Sequence, residues 1–98
     1  MVRGGEVTAA CRPDANQAEI VAALRAYGAH VQDTSQMRPS IGFDLIAARH
    51  GQLYLCEVKV DAKARLTAKE KRTHDLYRSA GVTIHRLETV EDVEAMLR

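Results

Sequence analysis

Aromatic side chains are nearly missing from this chain: of 98 residues none is Trp, one is Phe and three are Tyr. Its interior must be built from smaller aliphatic groups, which leaves a domain of this size little surplus burial to stabilise it. A partner subunit would add to so thin a core. Cysteine is scarce too. Two of them, Cys11 and Cys56, exclude a disulfide framework. Cys56 lies within the apolar run 53–56, an ordinary place for a small buried thiol. No apolar run approaches the roughly 20 residues that a membrane-spanning helix needs. The stretch Val7-Thr8-Ala9-Ala10-Cys11 faintly resembles a lipoprotein cleavage site, but Gly4, Gly5 and Glu6 stand where an apolar segment should precede it, so no signal peptide is expected. The expected compartment is reducing and cytoplasmic. Neither sign of charge is in excess: 14 Lys and Arg against 13 Asp and Glu give a net charge of +1, so any affinity for nucleic acid must come from a local patch.

What is present suits one soluble folded domain, since 46% of residues are hydrophobic and 28% charged. Residues 1–13 carry no hydrophobic period and read as a flexible N-terminal arm; residues 14–98 read as the domain. Asp14 and Gln17 resemble a capping box, followed by a helix over 18–27 with Ile20, Ala23, Leu24 and Tyr27 on one face and Gly28 as its stop. A short strand over 29–32 and a loop over 33–41 follow. Strands over 43–49 and 52–60 flank His50-Gly51, a hairpin turn. The second of these is apolar on both parities near its middle, as in a central strand covered on both faces. Thr67 and Glu70 form a capping box for a helix over 68–80. A strand over 82–87 and a helix over 90–97, capped by Thr89 and Asp92, complete an α-β-β-β-α-β-α order. The last helix is expected at a sheet edge.

The hairpin carries the chemistry. A two-residue turn at 50–51 sets Arg49 opposite Gln52 and Ile46 opposite Leu55, and continuing the register brings Asp44 opposite Glu57. The strand period of two keeps Asp44, Glu57 and Lys59 on one face. Two carboxylates so placed lie roughly 5 Å apart at Cβ and repel one another. Either a divalent cation binds between them, or Lys59 neutralises them, or both. The plain alternative is a strand end bearing an exposed Glu57–Lys59 ion pair that catalyses nothing. Against it stand two observations: the charges interrupt the most apolar strand of the chain, and the register joins residues thirteen positions apart.

A second signal is basic. Lys59, Lys63, Arg65, Lys69, Lys71 and Arg72 cluster between that strand and the second long helix, where they would track a phosphate backbone, or simply form a solvated face diluted by Asp61, Glu70 and Asp75. Lys63 and Arg65 precede a helix N-terminus, which favours phosphate contact. Arg38, in the loop before Asp44, is placed to join them. The four histidines lack zinc spacing, and no Walker loop, dinucleotide fingerprint or nucleophile elbow is present. His74, on the second long helix, could approach the site, but it reads more readily as a surface or partly buried structural histidine.

Gly42-Phe43-Asp44-Leu45, then Glu57-Val58-Lys59 after a hairpin, resembles the PD-(D/E)XK nuclease superfamily, and the element order resembles its minimal core. The closer resemblance is to small stand-alone VRR-NUC-type proteins of phages and prophages: a helix like 15–25, a Gly28-Ala29 step into the first strand, and Leu66-Thr67 opening a helix with an acidic or amide residue at the place of Glu70. It spans roughly residues 12–97. What it implies is an α/β, restriction-endonuclease-like core with a mixed sheet flanked by helices. It further implies that Asp44 and Glu57 ligate Mg²⁺ or Mn²⁺, with the peptide oxygen of Val58 and the carboxylate of Glu19 assisting, and that Lys59 is the catalytic lysine. Phe43 stands where proline is usual, and Glu70 where many relatives have glutamine. By its residues alone Glu19 is a solvated acid in the first half of a helix.

The function expected on this basis is metal-dependent hydrolysis of DNA, structured or branched DNA included, by a homodimer in a bacterial host or encoded by a phage, with DNA favoured over RNA. The competing expectations are an inactive nucleic-acid-binding or assembly module on the same fold, and a subunit active only within a larger machine.

Overall fold

The computed structural model describes residues 13–98. Its elements are α1 (Pro13–Ala26), β1 (His30–Asp33), β2 (Leu45–Arg49), β3 (Gln52–Val58), α2 (Ala68–Ser79), β4 (Ile84–Leu87) and α3 (Val90–Leu97). The sheet order is β1-β2-β3-β4, antiparallel except for β4, which runs parallel to β3. A parallel neighbour needs a crossover, and α2 supplies it. The hairpin joins β2 to β3 through His50 (φ 51°) and Gly51 (φ 79°). Two successive left-handed residues match the twist of the strands they connect. That turn fixes the register from Arg49–Gln52 through Ile46–Leu55 to Leu45–Cys56, as the sequence predicts.

Alternation then sorts the side chains. Val31, Leu45, Ala47, Cys56, Val58 and Leu87 point to one face, where Ile20 and Leu24 of α1 and Val93 and Leu97 of α3 close a single aliphatic core. Burial pushes the Cys56 thiol up to about 12, with the nearby Asp44 charge adding to it, so this cysteine is an inert filler. The opposite face is only partly covered. Leu53 is 69% exposed and Leu76 of α2 65% exposed, and His74 is the sole buried residue of α2. Thus β3 is central, but the expectation of cover on both faces fails along its first half.

Several boundaries differ from the sequence reading, each for a local reason. Helix α1 starts at Pro13, a residue suited to the first helical position because its missing N–H had no partner there. Asp14 is therefore inside the helix, and the Gln17 amide donates to Asp33 Oδ2 (3.0 Å) and Ser35 Oγ (3.1 Å) instead of closing a capping box. Tyr27 lies beyond the helix, exposed, with its hydroxyl on Glu94 (2.8 Å). Strand β1 runs one residue later than predicted. β2 starts at Leu45 rather than 43, because the left-handed Gly42 (φ 93°) turns the chain just before it. β3 ends at Val58, α2 at Ser79, and β4 starts at Ile84. Helix α3 has the predicted span and cap, and it packs against β4, an edge strand, and beside α1 over the core. The arm expected over 1–13 lies outside the described residues apart from Pro13. Among the described residues no helix is long and apolar enough to cross a membrane.

Candidate active site

The site forms where β2 and β3 lose their regular ladder. Beyond the Leu45–Cys56 rung, the Asp44 N–H donates to the Cys56 carbonyl (2.9 Å), and the Asp44 carbonyl accepts the Thr34 N–H (2.8 Å). Buried Thr34 also donates its hydroxyl to the Phe43 carbonyl (3.1 Å). Asp44 is thus held by backbone contacts on both sides. Its side chain turns back across the strand, and Oδ2 accepts the N–H of Val58 (2.9 Å).

Glu57 faces it. This side chain is only 1% exposed, and among the described residues its buried Oε2 has no hydrogen-bond partner. Its Oε1 meets Nε2 of His74 at 3.2 Å, and Oε2 lies 3.9 Å from the Lys59 ammonium. Burial first, then the adjoining Asp44 carboxylate, and more weakly Glu70, raise the Glu57 carboxyl from its ordinary 4.5 to about 9; Lys59 pulls the other way. The two carboxyls therefore adjoin one another, although the regular ladder ends at Leu45–Cys56, one rung short of the expected Asp44–Glu57 pairing.

Lys59 sits between two anions. Its ammonium bonds Glu70 Oε1 at 2.9 Å, closer than Glu57. Its backbone is fixed twice: the N–H donates to the Leu87 carbonyl of β4 (3.1 Å), and the carbonyl accepts the Asn16 amide of α1 (2.7 Å). Glu70 also closes the α2 capping box with Thr67, whose N–H donates to Oε1 (2.9 Å). Burial works to raise the Glu70 carboxyl, but the Lys59 and Thr67 bonds outweigh it and hold it below the ordinary range.

Helix α2 reaches the site by direct contact. A Cβ added at Gly42 would fall inside the Thr73 side chain, so glycine permits both the left-handed turn and the close approach of the helix. Phe43 meets Tyr77 edge-on, ring centroids 5.9 Å apart at 87°. His74 follows Thr73 and is carried onto Glu57; burial holds its imidazole below its usual value, so it stays neutral more readily than a free histidine.

Four of the sequence-predicted residues, Asp44, Glu57, Val58 and Lys59, meet here. Glu19 does not join them: it is exposed on α1, and among the described residues no three His, Cys, Asp or Glu side chains converge as a ready-made metal cage. Asn16, three positions earlier, is the α1 residue that touches the site. Lys63, Arg65 and Lys69 are exposed around the segment from Lys59 to the first turn of α2. Arg38 is exposed too, with its guanidinium bonded to the Ser35 (3.2 Å) and Met37 (2.8 Å) carbonyls of its own loop. The turn carrying Lys63 is pinned from β4: Arg86 donates to the Asp61 (2.9 Å) and Ala64 (2.6 Å) carbonyls. Asn16, Thr34 and Arg86 were not anticipated from the sequence; all three act through backbone carbonyls, which leave no residue pattern to read.

A carboxylate pair with one buried, unpartnered oxygen suits a hard cation, since Mg²⁺ and Mn²⁺ take oxygen ligands and offset the repulsion between two acids. The carboxylates of Asp44 and Glu57 are the donors that adjoin there.

No family model matches the chain, and no curated protein does. A solved structure described as "VRR_NUC domain" superposes with a TM-score of 0.72, over 87% of this chain and 92% of the other, at 21% sequence identity. At that identity the likeness shows a common fold. The α-β-β-β-α-β-α order around a mixed sheet, expected from the ordered motifs, is the fold this chain shares with that structure.

Proposed function

We propose that the protein is a metal-dependent nuclease that hydrolyses phosphodiester bonds in DNA, structured or branched DNA included. The observation that carries this reading is the abutting Asp44–Glu57 pair beside Lys59, with a buried Glu57 oxygen that has no hydrogen-bond partner among the described residues. Asp44, Glu57 and the Val58 carbonyl would hold Mg²⁺ or Mn²⁺, which when bound polarises the phosphate and lowers the pKa of water. Lys59 presents an ammonium to the same point, where it orients water and stabilises charge developing on the phosphate. Asn16 and the Leu87 carbonyl keep the Lys59 backbone still, so that the ammonium swings only about its own stem. Lys63, Arg65, Lys69 and Arg38 contribute the surrounding positive surface for the backbone of the nucleic acid. Exposed Glu19 is the weakest of the proposed metal-holding residues.

The half-covered sheet face, with Leu53 exposed beside Ile46 and Leu55, supports a homodimer in which a second copy covers it. Two subunits suit cleavage of two strands. The cytoplasm, where DNA is accessible and thiols stay reduced, is the proposed setting.

The test is cleavage of linear and four-way branched DNA with and without Mg²⁺ or Mn²⁺, in the wild type and in Asp44→Ala and Lys59→Ala. The expected result is metal-dependent cleavage that both substitutions reduce by at least about 100-fold while the fold persists. A second reading, a DNA-binding module without catalysis, draws on the Lys59–Glu70 ion pair, which occupies the ammonium. Metal-independent binding with no cleavage would support that reading and contradict the first.

A further inference from the structure

The nuclease reading leaves one buried titratable side chain without a task. His74 is the only residue of α2 buried against the sheet, in a helix whose Leu76 is 65% exposed. A helix that buries an imidazole while leaving a leucine in water is not docked chiefly by the hydrophobic effect. The contact His74 makes is specific: Nε2 to Oε1 of Glu57, 3.2 Å. The other Glu57 oxygen is the buried one with no partner. One oxygen is therefore held and one is left over. Desolvating both groups to make this contact costs free energy that an apolar pair would avoid, so packing alone does not account for a histidine here.

We propose that His74 is a positioning residue of the metal site, holding Oε1 of Glu57 so that Oε2 is the oxygen offered to a divalent cation. The inference rests on the reading of Asp44 and Glu57 as metal ligands. Once Glu57 is ionised, as a ligand must be, its carboxylate carries no proton, and the bond is donated by His74 Nε2–H. The carboxylate then cannot rotate about its terminal torsion, and the entropy of fixing it is lost on folding rather than on metal binding. Hydrogen bonds of this kind to ligating carboxylates set metal affinity. Glu70, one helical turn before His74, acts on the neighbouring group: it holds Lys59 as His74 holds Glu57. The helical spacing of four and the strand spacing of two match, so one face of α2 meets one face of β3 at both residues.

The experiment is calorimetric titration of the full chain with Mn²⁺, comparing the wild type with His74→Gln and His74→Leu. Both variants have side chains of similar bulk; only glutamine donates a hydrogen bond. His74→Leu is expected to weaken Mn²⁺ binding roughly 10- to 100-fold, with His74→Gln recovering most of it, and both retaining the circular dichroism of the wild type. Equal Mn²⁺ affinity in all three proteins, or in the two variants, reduces His74 to packing and overturns the proposal. A wild type that binds no Mn²⁺ overturns the metal-site reading itself, so the two failures are distinct. One measurement needs no variant at position 74. The side-chain ¹⁵N signals of His74 in the wild type should shift on titration with Mg²⁺ and remain fixed in Asp44→Ala. Signals that stay fixed in the wild type at saturating Mg²⁺ contradict the role.

Discussion

Glu57 is the residue on which the proposed chemistry turns, and its environment makes a prediction about pH. In the metal-free protein its carboxyl titrates near 9 because it is buried beside Asp44, whereas in the unfolded chain it titrates near its ordinary 4.5. The folded state thus binds the proton more tightly. Stability from this group is complete below about 4.5 and is lost as pH rises toward 9, because the unfolded chain ionises freely while the folded one resists. A divalent cation reverses the balance by favouring the ionised form, and its binding releases a proton. Thermal denaturation of metal-free protein should therefore show a melting temperature that falls between pH 5 and pH 9, and Mg²⁺ should raise it most at the alkaline end. In Glu57→Gln both dependences should flatten. A metal-free wild type whose stability rises across that window would contradict the placement of Glu57. Much of this residue's setting was legible beforehand. The alternation in 52–58, a turn at His50-Gly51 and the arithmetic of an antiparallel register suffice to put Glu57 opposite Asp44. Its contact with His74 was not, because it joins residues from elements whose relative height no local pattern specifies.

At the scale of elements, α2 is the informative one. Its start is written in the sequence as Thr67 with Glu70, and the reciprocal bonds of that capping box are present. Its docking is not written there. The helix buries little, and what seats it is the contact of Thr73 with Gly42, the edge-on pair of Phe43 and Tyr77, and the polar links of Glu70 and His74 to β3. Gly42→Ala should displace it. The substitution forces a side chain into a left-handed backbone, about 1–2 kcal/mol, and into space Thr73 already fills, about 1–3 kcal/mol more. Chemical denaturation should show the sum as lost stability, with Thr73→Ala in the same chain restoring the packing share but not the backbone share. A Gly42→Ala protein within 0.5 kcal/mol of the wild type would contradict this approach of helix to loop. The strand ends differ from the sequence reading for a related reason. Periodicity predicts extended chain from 43, but a glycine needed for the approach of a helix, remote in sequence, breaks the strand before Leu45. Likewise the apolar side of α3 marks the residues it buries, Val93 and Leu97, and says nothing of which layer receives them.

The whole molecule is asymmetric across its sheet. One face is closed by α1 and α3 over an aliphatic core, and the other carries the acids, Lys59 and α2 at one end and exposed Leu53 at the other. These charged groups and the uncovered apolar surface share a face, so a second copy docked there would lie beside the proposed site rather than across the molecule from it. Among the described residues the central cluster holds no buried aromatic ring, and only half-buried Tyr54 packs against it. Cys56 and the small Ala47 fill the space between strands and helices, consistent with a sequence that has almost no large rings to place. All of it depends on the Asp44–Glu57 pair being a cation site rather than a strained but idle contact. The most direct measurement is a crystal structure of the protein soaked in Mn²⁺, with the ion located by its anomalous scattering. The account predicts a single strong peak within coordination distance of both Asp44 and Glu57. A structure at saturating Mn²⁺ with no peak there, and the Glu57 oxygen still unpartnered, would contradict it.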